Sequence, residues 1–142
     1  MINFRSNCPL SSSLDIIGDK WTLLIIRDML VLKKTTFKDF ENSEEKIAAS
    51  ILAARLKWLL QHGIVTKHKL PDNKKTNIYL LTGKGLSFAP VIFELLVWSE
   101  INLREIHPNM ADYGVNSFLE NKSAQTQAIT DSYKTFSNSF KI

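Results

Sequence analysis

Apolar residues recur at helical spacing over most of the chain and at strand spacing only around residues 65–81. The first periodic stretch, from Pro9 to Ile17, reads as a short helix with proline in its first turn and Gly18 as its stop. Asp19 is placed to cap the next helix, "KWTLLIIRDMLVLK". That segment is apolar on nearly every side, through Trp21, Leu23, Leu24, Ile25, Ile26, Met29 and Leu30. A helix without a polar face belongs in the middle of a core. "TFKD" at 36–39 has the spacing of a capping box, Thr36 to Asp39, and predicts a brief helix with Phe37 and Phe40 turned inward.

The stretch "AASILAARLKWLLQHGIV", 48–65, predicts a helix over 48–61 with a core stripe of Ile51, Leu52, Leu56, Leu59 and Leu60, ended by Gly63. Its other face carries Ser50, Ala53, Ala54, Lys57 and Gln61, residues too small and too weakly charged for an ordinary solvated surface. "VTKHKL", "PDNK" and "KTNIYLL" then read as strand, turn and strand. Thr82 is placed to cap a long apolar helix reaching Trp98, with a kink at Pro90. From 104 onward the chain is more polar and less periodic, with helix expected around Phe118 and over 124–136.

Three helices, a hairpin and a further helix follow one another in the order of a winged helix-turn-helix. The expected fold is therefore mainly α with a small β-hairpin wing. It divides into a winged helix-turn-helix domain with pairing helices at 1–103 and a partly helical C-terminal extension at 104–142. In such a fold the second helix of the motif enters the DNA major groove, where bulky side chains would block approach. Ala48, Ala49, Ser50, Ala53 and Ala54 would let the backbone come close, while Ser50 and Gln61 hydrogen-bond and Lys57 reaches a phosphate or a guanine. Alanine is also the best helix former, so an exposed face filled without function looks the same. The neighbouring hairpin tips the balance, because Lys67, Lys69, Lys74 and Lys75 crowd where a wing would track phosphates. Solvated, edge-protecting lysines are the alternative reading of that hairpin.

Charge supports a polyanionic partner. The 142-residue chain has a net charge of +4. Residues 101–142 cancel, with Arg104, Lys122, Lys134 and Lys141 against Glu105, Asp112, Glu120 and Asp131, so the excess lies wholly in residues 1–100. No apolar run approaches the length of a membrane span, and "MINFRSNCPL" lacks a secretory signal pattern. A single cysteine rules out an internal disulfide, which suits a reducing cytoplasm.

"CPL" near the start, "LDIIGDKWTLLIIRDML", Phe37, "ILAARLKWLLQHGIV", "YLLTGKG" and Trp98 together resemble the HxlR-type, MarR-like regulators of bacterial transcription, in unbroken order over residues 8–100. The resemblance implies a winged helix-turn-helix homodimer that binds double-stranded operator DNA, represses or activates nearby genes, and responds to reactive chemicals. It places the first motif helix at 36–42, the recognition helix at 48–61 and the wing at 65–81. The implied DNA contacts are Thr36 and Lys38, then Ala49, Ser50, Ala53, Ala54 and Lys57, then Lys67, Lys69, Asn73, Lys74 and Lys75. Dimer contacts would come from Leu14 and Ile17 of the first helix and Phe93, Val97 and Trp98 of the long one. Two departures stand out. Ala48 and Ala49 replace the family's serine and proline, removing a capping side chain, and the tail beyond about 107 is not covered.

Cys8 matches the cysteine that senses oxidants or electrophiles in many relatives. Before Pro9 it would sit at a helix N-terminus, where the dipole favours a thiolate, and Arg5 would help if it folded back. An inert cysteine at a dimer interface is the alternative. Arg55 falls on the core side, so an ion pair with an acidic side chain near the first motif helix is favoured over a phosphate contact. His62, His68 and His107 have no ligand spacing and no nucleophile or carboxylate cluster beside them, so no metal, cofactor or catalysis is expected. "TGKG" at 82–85 lacks Walker spacing, and Thr82 is better used as a cap. Two other functions stay open: a winged-helix module that binds protein, and a DNA-binding regulator controlled by a small ligand between the long helix and the tail, lined by Phe88, Phe93 and Trp98.

Overall fold

In the computed structural model, which describes residues 2–140 and residue 142, the elements run α1 (Pro9–Ile17), α2 (Thr22–Leu30), α3 (Phe37–Glu41), α4 (Ala49–Gln61), β1 (Val65–Leu70), β2 (Asn73–Leu81), α5 (Gly83–Leu86), α6 (Ala89–Leu103), α7 (Val115–Glu120) and α8 (Lys122–Asn138). The fold is the mainly helical, hairpin-bearing winged helix-turn-helix that the chain order predicts. α2 is its axis. Ile26, Met29 and Leu30 are fully enclosed by Phe40 of α3, Leu52, Leu56 and Leu59 of α4, Ile64 and Tyr133 of α8.

Local chemistry sets most boundaries. Pro9 opens α1, and Gly18 donates its N–H to the Leu14 carbonyl. Asp19 accepts the N–H groups of Trp21 and Thr22, both at 2.8 Å, satisfying donors that the start of α2 leaves orphaned. Gly63, at φ +67°, supplies the left-handed residue that turns the chain from α4 into β1. The strands pair antiparallel from Val65 opposite Leu81 outward, with an irregularity at Lys69/Leu70 near the tip.

Four expectations need correction. α2 stops at Leu30, because Lys33 adopts φ +56° and the Lys34 ammonium reaches back to Asp28 at 3.2 Å. The single long helix after Thr82 is two: Thr82 caps the short α5, and Pro90 stands in the first turn of α6, where its missing N–H costs nothing. Gly85 lets α5 lie against the hairpin, since a Cβ there would sit 2.4 Å from the Ile64 carbonyl oxygen. The segment 83–103 does have the length and apolar composition of a membrane-crossing helix, contrary to the sequence reading. Here it is interrupted between α5 and α6 and buries Leu86, Ala89 and Ile92 in the core. Ile51, assigned to the core stripe, is 39% exposed.

The extension is helical as expected, but it joins the main core. Tyr133 is completely buried, and Ile129 and Phe136 pack beside it. A second cluster forms where Val97 of α6 meets Val115 and Phe118 of α7.

Candidate nucleic-acid interface

The entry to α3 is fixed by three hydrogen bonds. Asp39 donates its N–H to Thr36 Oγ1, and its carboxylate accepts the N–H groups of Thr35 and Thr36, each at 3.1 Å. Partial burial pushes the Asp39 carboxyl up, but these backbone donors outweigh it and hold the group below the ordinary carboxylate range.

The turn from α3 to α4 is held by a charge network that the sequence did not reveal. Arg27 donates to both oxygens of Glu45 at 2.9 Å and, at 2.9 and 2.7 Å, to Oδ1 of the buried Asp28, whose other oxygen takes Lys34. The hydrogen bonds from Arg27 hold the Glu45 carboxyl below its ordinary value. Two cations around one buried carboxylate offset the cost of taking it out of water. The signal available in sequence was the charged pair Arg27–Asp28 inside an otherwise largely apolar helix.

α4 is docked by Leu52, Leu56 and Leu59 and oriented by two polar contacts. The Trp58 indole N–H donates to the Ile16 carbonyl at 2.9 Å, and Arg55 pairs with Asp19 at 3.2 Å while lying over the Trp58 ring. Arg55 thus makes the internal ion pair expected of it, but its partner precedes α2 rather than standing near α3. Burial pushes the Asp19 carboxyl up; hydrogen bonds from the Thr22 hydroxyl and the Trp21 and Thr22 N–H groups, with the charge of Arg55, bring it below the usual range.

The outward face of α4 presents Ala49, Ser50, Ala53, Ala54, Lys57 and Gln61, all exposed. Ile51 adds an apolar group at the start of the helix, a residue type that meets thymine methyls in the major groove. Ala48 occupies the N-cap position with no side-chain cap, so the first-turn N–H groups stay free of any side-chain partner there.

Lys67, Lys69, Lys74 and Lys75 are exposed along the hairpin. Lys69 Nζ donates to the Lys74 carbonyl at 2.9 Å. Asn73 shapes the tip, accepting the Lys75 N–H and donating to Thr76 Oγ1, both at 3.3 Å. Thr36 and Lys38 of the first motif helix line a cleft of about 630 Å³ with Lys75 and Thr76 of the wing.

The residues assigned to pairing separate into two groups. Leu14 and Trp98 are 46% and 55% exposed. Ile17, Phe93 and Val97 instead pack within the chain: Ile17 is buried, Phe93 lies 5.0 Å from the Phe118 ring, and Val97 is covered by α7. The open side of α6 carries Val91, Leu95, Trp98 and Ile101 in a shallow apolar groove of about 690 Å³. Phe88 and Phe93 pack against the core and Trp98 faces out, so the three rings named for the alternative, ligand-controlled reading do not face one common cavity.

Cys8 is exposed, immediately before α1. Arg5 does not support it, being paired with Asp15. His62 stacks on Trp58 with ring centroids 4.2 Å apart, and burial together with the charge of Lys84 holds its imidazole below the ordinary value. His68 contacts Thr66 Oγ1 at 2.7 Å. Among the described residues no group of His, Cys, Asp and Glu is placed to hold a metal ion.

The recognisable part of this architecture is shared with known proteins. Residues 16–107 match the HxlR-like helix-turn-helix family. The HTH-type transcriptional regulator YodB of Bacillus subtilis is 34% identical over 94 residues, covering 66% of this chain and 83% of YodB. The solved reduced form of YodB superposes with a TM-score of 0.57 at 30% identity, over 70% of this chain and 98% of that one. The quinone-bound form gives 0.54 at 32% identity, over 66% and 97%. The chain belongs to the HxlR family of winged helix-turn-helix transcriptional regulators.

Proposed function

We propose that this regulator acts in the cytoplasm as a homodimer that binds a palindromic operator duplex through α4 and the β1–β2 wing, and that reactive small molecules control it through Cys8. The observation that carries the reading is the small, exposed outward face of α4 together with the exposed lysines of the hairpin, where Thr36 and Lys38 share a cleft with Lys75. Small side chains admit the helix backbone to the groove, and the lysines neutralise flanking phosphates. Leu14 on α1 and the open apolar side of α6 supply surface for a second copy. Selection from a random duplex pool tests the reading. It should return inverted half-sites centred about 10 bp apart or a multiple of it. Weak binding spread evenly over the pool would remove sequence-specific recognition and leave a protein-binding module.

The wing is expected to contribute affinity without sequence preference. Lys74→Ala with Lys75→Ala should weaken binding to every duplex and flatten the salt dependence by about one unit of slope per lost phosphate contact. Titrations at several salt concentrations read this directly, and an unchanged slope takes the wing off the DNA.

Control by reactive species rests on the exposure of Cys8 beside α1 and on the quinone-bound state known for YodB. As the only cysteine, it can form a disulfide only with a second chain or a small thiol. Either adduct would alter the spacing of two recognition helices if α1 lies in the dimer interface. Diamide or quinone treatment should change operator affinity in the native protein and leave Cys8→Ser unaffected, with mass spectrometry showing the adduct. A Cys8 that is modified while affinity holds would be a bystander.

A further inference from the structure

The hairpin has two strands only, and such a ribbon is marginally stable unless something else holds it. Its outer edge, on β2, presents the N–H groups of Tyr79 and Leu81 away from β1. Neither is left open. Tyr79 donates to the Thr35 carbonyl at 2.8 Å, on the segment that leads into α3. Leu81 donates to the hydroxyl of Tyr133 at 2.9 Å, across 52 residues of sequence. Tyr133 is completely buried and belongs to α8, beyond residue 107, where the family match ends.

The tail that carries this contact is tied down independently. Arg104 pairs with Glu100 and donates to the carbonyls of Pro108, Met110 and Ala111, fixing the turn out of α6. Asn121 caps α8 by accepting the Ala124 N–H at 3.2 Å, and Ile129 and Phe136 pack on the core to either side of Tyr133.

We infer that the C-terminal extension is a strut for the wing, and that Tyr133 is a positioning residue which fixes the base of β2 relative to α4. A phenol in a dry site is a costly way to fill a core, because its oxygen needs a partner. Here the partner is the last edge N–H of the hairpin. With Thr35 and Tyr133 both accepting along the outer edge of β2, the wing is anchored to both the helix-turn-helix and the tail. Its effect on DNA rests on the function proposed above; the anchoring itself does not.

Tyr133→Phe tests this, since it keeps the ring and removes only the acceptor. Amide hydrogen exchange should quicken at Leu81 and its hairpin neighbours by roughly two- to tenfold, the worth of one such bond, with α2 and α4 unchanged. Affinity for a pool-selected duplex should fall several-fold, with the salt slope reduced because a looser wing makes fewer phosphate contacts. Exchange that quickens evenly across α2, α4 and α6 would make Tyr133 an ordinary core residue and overturn the strut, as would a hairpin that exchanges no faster. If exchange responds locally but neither protein prefers any duplex, the strut stands and the DNA reading falls.

Discussion

Trp98→Asp should yield a folded monomer. The indole is 55% exposed in the single chain and lies in the open apolar groove of α6 with Leu95 and Ile101. A tryptophan carries ~200 Å² of surface. Covering the open half at ~25 cal/mol per Å² is worth about 2.5 kcal/mol, and a two-fold interface counts it once from each copy. An aspartate loses that gain and adds a charge that would have to be desolvated. Because only about half of Trp98 is covered within the protomer, the full loss expected of a core tryptophan does not apply, and the melting of the isolated chain should fall less than for a buried tryptophan. Operator affinity should fall by roughly 10²- to 10⁴-fold, since two half-sites would no longer be bound in one event. Sedimentation and operator titration of the same preparation read both effects. A variant that still sediments as a dimer places the interface elsewhere.

Ser50→Trp should abolish specific binding without harming the fold. Ser50 is exposed near the start of α4 and makes no contact that holds the helix in place; Leu52, Leu56, Leu59, Trp58 and Arg55 do that. An indole there would hold the helix backbone away from the base edges. Binding should collapse to the salt-dependent, sequence-blind level, a loss of roughly 10³-fold or more on the selected duplex. The contrast with the wing lysines is diagnostic: their loss lowers affinity for all duplexes alike, whereas this change should erase the difference between selected and scrambled DNA. A Ser50→Trp protein that still distinguishes the two would show that the outward face of α4 is not in the groove.

What could be read along the chain was set by neighbours in sequence. Helical periodicity, the Thr36–Asp39 capping box, Pro9, Gly63 and the Pro-Asp turn act within a few residues, so they placed α1, α3, α4 and the hairpin, and with them the small outward face of α4 and the lysines. The order of motifs from "CPL" to Trp98 carried the resemblance that the matched family upholds.

What resisted reading was set by partners far away in sequence. Ile51 fits a core stripe by spacing, but the neighbours that would cover it are absent at the start of α4, and it stays exposed. Phe93, Val97 and Trp98 all sit on one apolar helix, and nothing along α6 tells which side α7 will take; its packing buried Val97, partly covered Phe93 and left Trp98 open. The pairings of Arg27 with Glu45, Arg55 with Asp19 and Tyr133 with Leu81 join groups 18, 36 and 52 residues apart. Charges and hydroxyls at such separations carry no periodic signature. Their partners are chosen only when burial removes water and leaves each polar group one place to go.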